Sequence, residues 1–366
     1  MITDVSIRNF KCFKSLTVPK LGRITLIGGR NNIGKTALLE ALFLFFDRTR
    51  ADMILRQYSW RGIEGVTSEL KAMLAPVFRN YDMNLEIVIS ATIKGKIEEA
   101  KYRYNPNFLP PASPNTGRSE TVISAASPDE RQIPTDQKPS SISALDIEYC
   151  EKGGSSQISY LFIDDQGRLA LHVDKLFIKK GYSACFLAAK KHVSSVETAN
   201  EFSKLAKEGR ENEIVEFLRI IEPRLEALKI ITEGPSSSVH GQLKGSPRAH
   251  DIHLIGEGME KLLNLISRIV SSRYVCIFLD EIENGIHYAA LPKIWEAVGK
   301  ALHKYDCQLI TTTHSYECIQ AAHEGLSEMP EDLMYMRLQR KGDEIYAKLS
   351  NYEMMGTAIR TNLEIR

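Results

Sequence analysis

The segment Gly29-Arg30-Asn31-Asn32-Ile33-Gly34-Lys35-Thr36 fits the pattern G-x-x-x-x-G-K-[ST] at every fixed position. Such a loop cradles phosphate oxygens for simple physical reasons. Glycines at 29 and 34 let the backbone curl so that successive N–H groups point inward. A helix starting just after Gly34 adds the partial positive charge of its N-terminus. The Lys35 ammonium is then expected between a β- and a γ-phosphate, and the Thr36 hydroxyl on a magnesium ion. Gly29, Asn31, Asn32, Gly34, Lys35, Thr36 and Ala37 are the candidate contacts to ATP here. The side-chain directions of Arg30, Asn31 and Asn32 are not readable from the sequence.

Two carboxylates close the apolar run Val275-Cys276-Ile277-Phe278-Leu279-Asp280-Glu281. Asp280 suits a magnesium contact, direct or through water, and Glu281 suits a general base that polarises the attacking water. An acidic residue after a strand is also a common turn; the phosphate loop elsewhere in the chain favours the chemical reading. A second apolar run, Leu309-Ile310-Thr311-Thr312-Thr313, ends on His314, which could reach the γ-phosphate and the catalytic water. Alone, that histidine would read as a satisfied surface residue. Finally, Gly256-Glu257-Gly258 opens a helix 22 residues before Asp280. Exposed amides at that helix start are a second anion-binding device.

The elements that must position these groups follow from periodicity. Ile2–Ile7 alternates as a strand, and Ile24–Ile27 is a short apolar run ending at Gly28-Gly29. Thr36–Phe46 reads as a helix with a stripe through Leu38, Leu39, Leu42 and Phe46. Leu85–Ala91 and Lys101–Tyr104 read as strands. From Met259 onward helices alternate with strands: Met259–Ile269, Val275–Leu279, Leu291–His303, Gln308–Thr311 and Tyr316–His323. That order predicts an α/β fold, a mainly parallel sheet with helices on both faces. The expected division is a nucleotide-binding core from 1–50 and 250–366, a β-rich insertion at 51–180 and a helical insertion at 181–249. Ser194-Ser195-Val196-Glu197 has the form of a capping box at the start of a helical region reaching Ile221, and Gly234–Ser238 reads as a loop. Seven of the fourteen prolines fall within 105–143, which reads as a loop or mobile insertion.

Composition narrows the class of protein. With 43% hydrophobic and 25% charged residues, 366 residues can bury a sizeable core. No apolar run approaches the roughly 20 residues of a membrane helix, and Met1–Phe10 lacks the apolar centre of a signal peptide. The six cysteines include no Cys-x-x-Cys pair, which argues against a zinc ribbon or a disulfide framework. A cytoplasmic location is expected. The net charge of +1 announces no global affinity for nucleic acid.

The order of the four chemical elements resembles the ABC-type ATPase heads of the SMC, RecF and OLD kind. In that comparison Gly29–Thr36 is Walker A, Ile255–Met259 the signature, Val275–Glu281 Walker B and His314 the switch histidine. Ile7-Arg8-Asn9-Phe10-Lys11-Cys12-Phe13 resembles the opening strand of the group, and Asp280-Glu281-Ile282-Glu283-Asn284-Gly285-Ile286-His287 resembles the DEIE-x-G-[LI]-H run of OLD-like ATPases. The resemblance covers about residues 1–50 and 180–325. It implies an ABC-type head with an antiparallel β-rich lobe and a helical insertion. It also implies head-to-tail pairing into a homodimer or higher oligomer, in which the signature of one chain closes over ATP held by the other. Gly256 stands where the signature usually carries a serine, so slow hydrolysis is expected. Gln57 and Gln157 are both candidates for the glutamine loop.

The 217 residues from Thr36 to His253 are too few for long coiled-coil arms, and the 52 after His314 hold no Asp-x-Asp of a Toprim nuclease. The chain therefore resembles an OLD-like ATPase without its nuclease, as in the ATPase subunits of anti-phage systems, of the PARIS type more than the Septu type. That implies a separate effector, a Toprim- or HNH-type nuclease, and a phage-encoded trigger. Two other readings remain: a RecF-like repair ATPase that binds DNA directly, or a scaffold with structural ATP. Residues 1–50 hold nine Lys/Arg against three Asp/Glu, limited support for the DNA reading.

Overall fold

A computed structural model describes residues 1–50, 52–63, 69–109, 119–122, 142–151, 154, 156–173, 183–189, 194–234, 236–256 and 258–361. The chain opens with strands β1 (Ile2–Phe10), β2 (Phe13–Val18) and β3 (Ile24–Gly28), then helices α1 (Lys35–Asp47), α2 (Met53–Trp60) and α3 (Leu70–Leu74). Strands β4 (Ile87–Ile93), β5 (Lys96–Phe108), β6 (Ser119–Val122), β7 (Ile142–Glu151), β8 (Ser156–Ile163), β9 (Leu169–Val173) and β10 (Ala184–Leu187) follow. Next come α4 (Ser195–Lys207), α5 (Glu211–Leu218), β11 (Leu225–Glu233), β12 (Ser236–Leu243), β13 (Ala249–Asp251), α6 (Ile252–Ile255) and α7 (Met259–Val270). The chain ends β14 (Cys276–Leu279), α8 (Leu291–Lys304), β15 (Gln308–Thr312), α9 (Tyr316–Gly325), β16 (Leu333–Lys341), β17 (Glu344–Asn351) and α10 (Tyr352–Arg360).

Among the described residues these strands form three sheets. The central one runs β10-β14-β15-β3-β16-β17, parallel except for β17. Its strands β3, β14 and β15 are buried along their whole length, as expected where both faces are covered. The second sheet, β2-β1-β4-β5-β7-β8-β9-β6, is antiparallel. It takes up residues 2–18 together with strands between 87 and 173, so no sheet boundary falls at residue 50. The third is a small antiparallel sheet, β11-β12-β13.

Helix α1 lies between the two large sheets. Twelve of its residues, Lys35 and Ala37–Asp47, are buried, so the stripe read from the sequence widens to the whole circumference. Its aromatic side chains fill the gap: Phe43 packs edge-on against Trp60 and Phe278, and Tyr102 of β5 donates to the Leu44 carbonyl. The opposite face of the central sheet is covered by α7, α8 and α9, whose buried residues join those of α4 and α5 in a second core.

Two expectations for 181–249 need revision. The helical run from Ser194 breaks at Gly209, whose φ of 70° carries a left-handed helix end. There the Arg210 N–H bonds the Leu205 carbonyl and the Gly209 N–H the Ala206 carbonyl. The segment around Gly234 is the tip of the β11–β12 hairpin rather than an open loop. The N-terminal cap is as read: the Ser194 hydroxyl accepts the Glu197 N–H at 3.1 Å. Most of the Pro-rich stretch lies outside the described residues.

Candidate active site

The registry of the central sheet does the positioning. Leu279 pairs with Thr311 and Thr312 with Ile27, so β3, β14 and β15 end at one level. The phosphate loop, the two carboxylates and His314 therefore emerge side by side at the carboxyl ends of parallel strands, where α/β sheets place chemistry.

The loop backbone needs its glycines. Gly29 has φ 132° and Gly34, the N-cap of α1, has φ 106°. A Cβ on Gly29 would stand 2.7 Å from the Leu338 carbonyl oxygen, and one on Gly34 would stand 2.6 Å from Cys12 Sγ. Asn32 also adopts a left-handed conformation, φ 59°. Asn31 and Asn32 are exposed, whereas the Ala37 side chain is buried in the core, leaving only its first-turn amide for an anion. Lys35 is 4% exposed, and its ammonium donates to the carbonyls of Gly29 at 2.7 Å and Arg30 at 3.1 Å, with His314 Nδ1 at 3.2 Å. Burial pulls its pKa down to about 8 against the opposing pull of Asp280, Glu281 and Glu283.

The Thr36 hydroxyl lies 3.2 and 3.1 Å from the two Asp280 carboxylate oxygens. Hydroxyl and carboxylate are hard donors of the kind Mg²⁺ takes, so this pair fits that ion. Among the described residues no group of three His, Cys, Asp or Glu forms a metal cage.

Glu281 has φ 53°, a costly conformation for a residue with a Cβ. It turns the side chain toward His314, whose Nε2 lies 3.4 Å from Glu281 Oε1. Glu283 accepts the His314 N–H at 2.7 Å, tying the two strand ends together. Gly29, Arg30, Asn31, Glu281, Glu283, Asn284 and His314 line one cleft. Gly256 and Gly258 do not: they line a neighbouring cavity of about 1080 Å³. Gly258 is the left-handed N-cap of α7, φ 79°. Glu257 lies outside the described residues. Neither glutamine candidate lines the cleft; Gln57 is buried on α2 and accepts from Lys11 at 2.9 Å, and Gln157 is on β8.

The sequence reading missed Thr312. Its hydroxyl donates to Asp280 Oδ1 at 2.6 Å and accepts the Glu281 main-chain N–H at 2.8 Å, so one side chain holds the Asp280 carboxylate and the Glu281 backbone. The polar run Thr311-Thr312-Thr313, buried at the end of β15 and just past it, was the available signal. Replacing Thr312 with Val is expected to lower kcat by roughly 10–100-fold, the usual loss when an outer partner of a ligand is removed. It leaves the Glu281 N–H without its partner and Asp280 Oδ1 with only the longer Thr36 contact, so stability should fall by about 1–3 kcal/mol. Steady-state kinetics and a urea titration check both, and an unchanged kcat would remove Thr312 from this role.

Fold and site together define a P-loop ATPase with an SMC-head-like α/β architecture. Residues 24–319 match the family described as "AAA domain, putative AbiEii toxin, Type IV TA system". The chain belongs to that family, and it is an ATPase. It is 21% identical to an ATP/GTP phosphatase of Helicobacter pylori over 343 residues, 90% of this chain and 89% of that protein. A 73-residue stretch, 19% of this chain and 33% of the other, is 38% identical to an uncharacterised protein of Methanocaldococcus jannaschii. Among solved structures, an Smc head bound to the C-winged helix domain of ScpA superposes with a TM-score of 0.50 at 12% identity, covering 96% of this chain and 98% of that one. No described helix is long and apolar enough to cross a membrane.

Proposed function

We propose that this chain is an ATP-driven switch in which two copies close on shared nucleotides and thereby control a separate effector in anti-phage defence. The observation that carries the closure is that the two anion-binding devices line different, adjoining cavities of the chain. Gly256 and Gly258 do not line the cleft with the phosphate loop, Glu281 and His314; they line the adjoining cavity, which shares Asn284 with that cleft and reaches Asp280. A second copy can supply them to the first.

Within the cleft each residue has a role set by its place. The amides of the loop and the Lys35 ammonium bind the β- and γ-phosphates. Thr36 and Asp280 hold Mg²⁺, which when bound neutralises the charge that develops on the phosphate oxygens. Glu281 takes a proton from the water that attacks the γ-phosphorus, as the bond to the β–γ bridging oxygen breaks to leave ADP. His314 holds Glu281 and faces the same water.

The effector reading draws support from the toxin–antitoxin context printed for the family and from the Smc head seen with a partner domain. The effector expected is a Toprim- or HNH-type nuclease, released when a phage product is sensed. Direct DNA binding has weaker support. Of the cations in residues 1–50, Lys11, Arg23 and Arg50 are paired with carboxylates, Arg48 stacks on Tyr149 and Lys35 serves the phosphate loop.

The test is co-purification from the native operon followed by mass photometry with and without ATP. A stoichiometric second protein that leaves on activation supports the switch; a lone chain that binds duplex DNA in a steeply salt-dependent way overturns it. Lys35→Ala should abolish binding of a fluorescent ATP analogue, and wild-type affinity in that variant would sink the nucleotide assignment.

A further inference from the structure

Lys261 is the third residue of α7, the helix whose N-cap is Gly258. A cation in the first turn of a helix opposes the helix dipole, so this position needs a reason. Its ammonium donates to the main-chain carbonyls of Glu281 at 2.7 Å and Asn284 at 3.0 Å. These carbonyls are the two ends of one turn, because the Asn284 N–H itself bonds the Glu281 carbonyl at 3.1 Å. The turn starts at the left-handed residue, Glu281, and carries Glu283, whose Oε1 accepts from His314 while its Oε2 is buried without a partner. Burial pulls the Lys261 pKa down to about 8, the mark of a cation held out of water at some cost. A side chain needed only for packing would not carry that charge.

We infer that Lys261 is a positioning residue that clamps the Glu281–Asn284 turn to helix α7, so that a shift of the glycine-capped helix start moves the catalytic carboxylate. This rests on the assignment of Glu281 as general base. Lys261 acts through the two carbonyls it bonds, holding an unfavourable backbone conformation in the orientation that faces His314. The link also gives the two anion-binding devices of the chain a mechanical connection through three residues of one helix turn.

The experiment is a double-mutant cycle on the full chain with Lys261→Met, Lys261→Arg and Glu281→Gln, read as single-turnover ATP hydrolysis beside the affinity for a fluorescent ATP analogue. Lys261→Met is expected to lower the hydrolysis rate about 10–100-fold with nucleotide affinity within about twofold of wild type, since misplacing a reacting group by about 1 Å costs up to ~10² in rate. Lys261→Arg keeps charge and donors and should recover most of the rate. The combination of Lys261→Met with Glu281→Gln should be no slower than Glu281→Gln alone, because Lys261 acts through Glu281. Fully additive losses, or a wild-type rate in Lys261→Met, overturn the inference while the role of Glu281 stands. A wild-type rate in Glu281→Gln overturns that role itself. Equal rate losses in Lys261→Met and Lys261→Arg, tracking equal losses in thermal stability, also overturn the inference in favour of a purely structural lysine.

Discussion

Changing Glu281 to Gln is expected to slow ATP hydrolysis by roughly 10²–10⁴-fold, the contribution of a positioned general base. The amide has the shape of the carboxylate, so the left-handed turn, the contact to His314 and the Lys261 clamp have no steric reason to change. What is lost is the ability to take a proton from the attacking water. Nucleotide affinity should therefore persist, because the groups proposed to face phosphate lie on the loop and α1. ATP that binds without being cleaved should accumulate the closed pair of chains. The measurement is phosphate release at saturating ATP together with mass photometry. Substantial retained turnover would assign the base elsewhere, and Glu283, the other carboxylate of the cleft, would be the next residue to replace.

The largest expected effect on stability lies behind the loop. Glu40 on α1 is completely buried and accepts from Lys11 at 2.7 Å and bidentately from Arg61 at 2.7 and 2.8 Å. Burial alone would raise the Glu40 carboxyl, but the Lys11 and Arg61 charges and their hydrogen bonds override it and hold the pKa below its ordinary value of 4.5. Lys11 sits in the β1–β2 turn beside Cys12, whose sulfur packs against Gly34, so the network fixes the floor of the phosphate loop. Removing one partner of a buried pair strands the other. Glu40→Ala should cost about 3–5 kcal/mol, and Glu40→Leu with Lys11→Met should recover much of it. Urea unfolding of both variants measures this, and a loss under about 1 kcal/mol would show that the pair is hydrated. The sign of the pH dependence follows from the lowered carboxyl. Its stabilisation is complete above about pH 4.5 and fades as pH falls through the lower folded value.

Much of the site was legible because its signals are local. A glycine spacing, an apolar run ending in two carboxylates and another ending in histidine each carry their meaning within about eight residues. Helix α7 and strands β14 and β15 were readable for the same reason, since strict alternation of helix and strand leaves few ways to build a sheet. Other features depend on contacts between distant segments. Lys261 and Thr312 looked like ordinary residues of a helix and a strand, and only the packing of α7 and β15 against the Glu281 turn reveals what they hold. The β11–β12 hairpin was hidden by serine-rich, polar strands whose pairing is decided across the turn rather than within each strand.

The sequence by itself determined that a phosphate-loop pattern stands at the start of a helix and that carboxylates and a histidine stand at the ends of strands, because backbone geometry and charge at those positions admit few residue types. The tertiary structure decided the rest. The parallel registry of β3, β15 and β14 brings residues 29–36, 280–283 and 314 to one edge, and burial of α1 between two sheets makes its outward face core instead of surface. The placement of Gly256 and Gly258 in an adjoining cavity was also beyond the sequence, because it depends on how α7 packs and not on which residues begin it. Registry and packing are sums over many distant contacts, each too weak to mark any single residue.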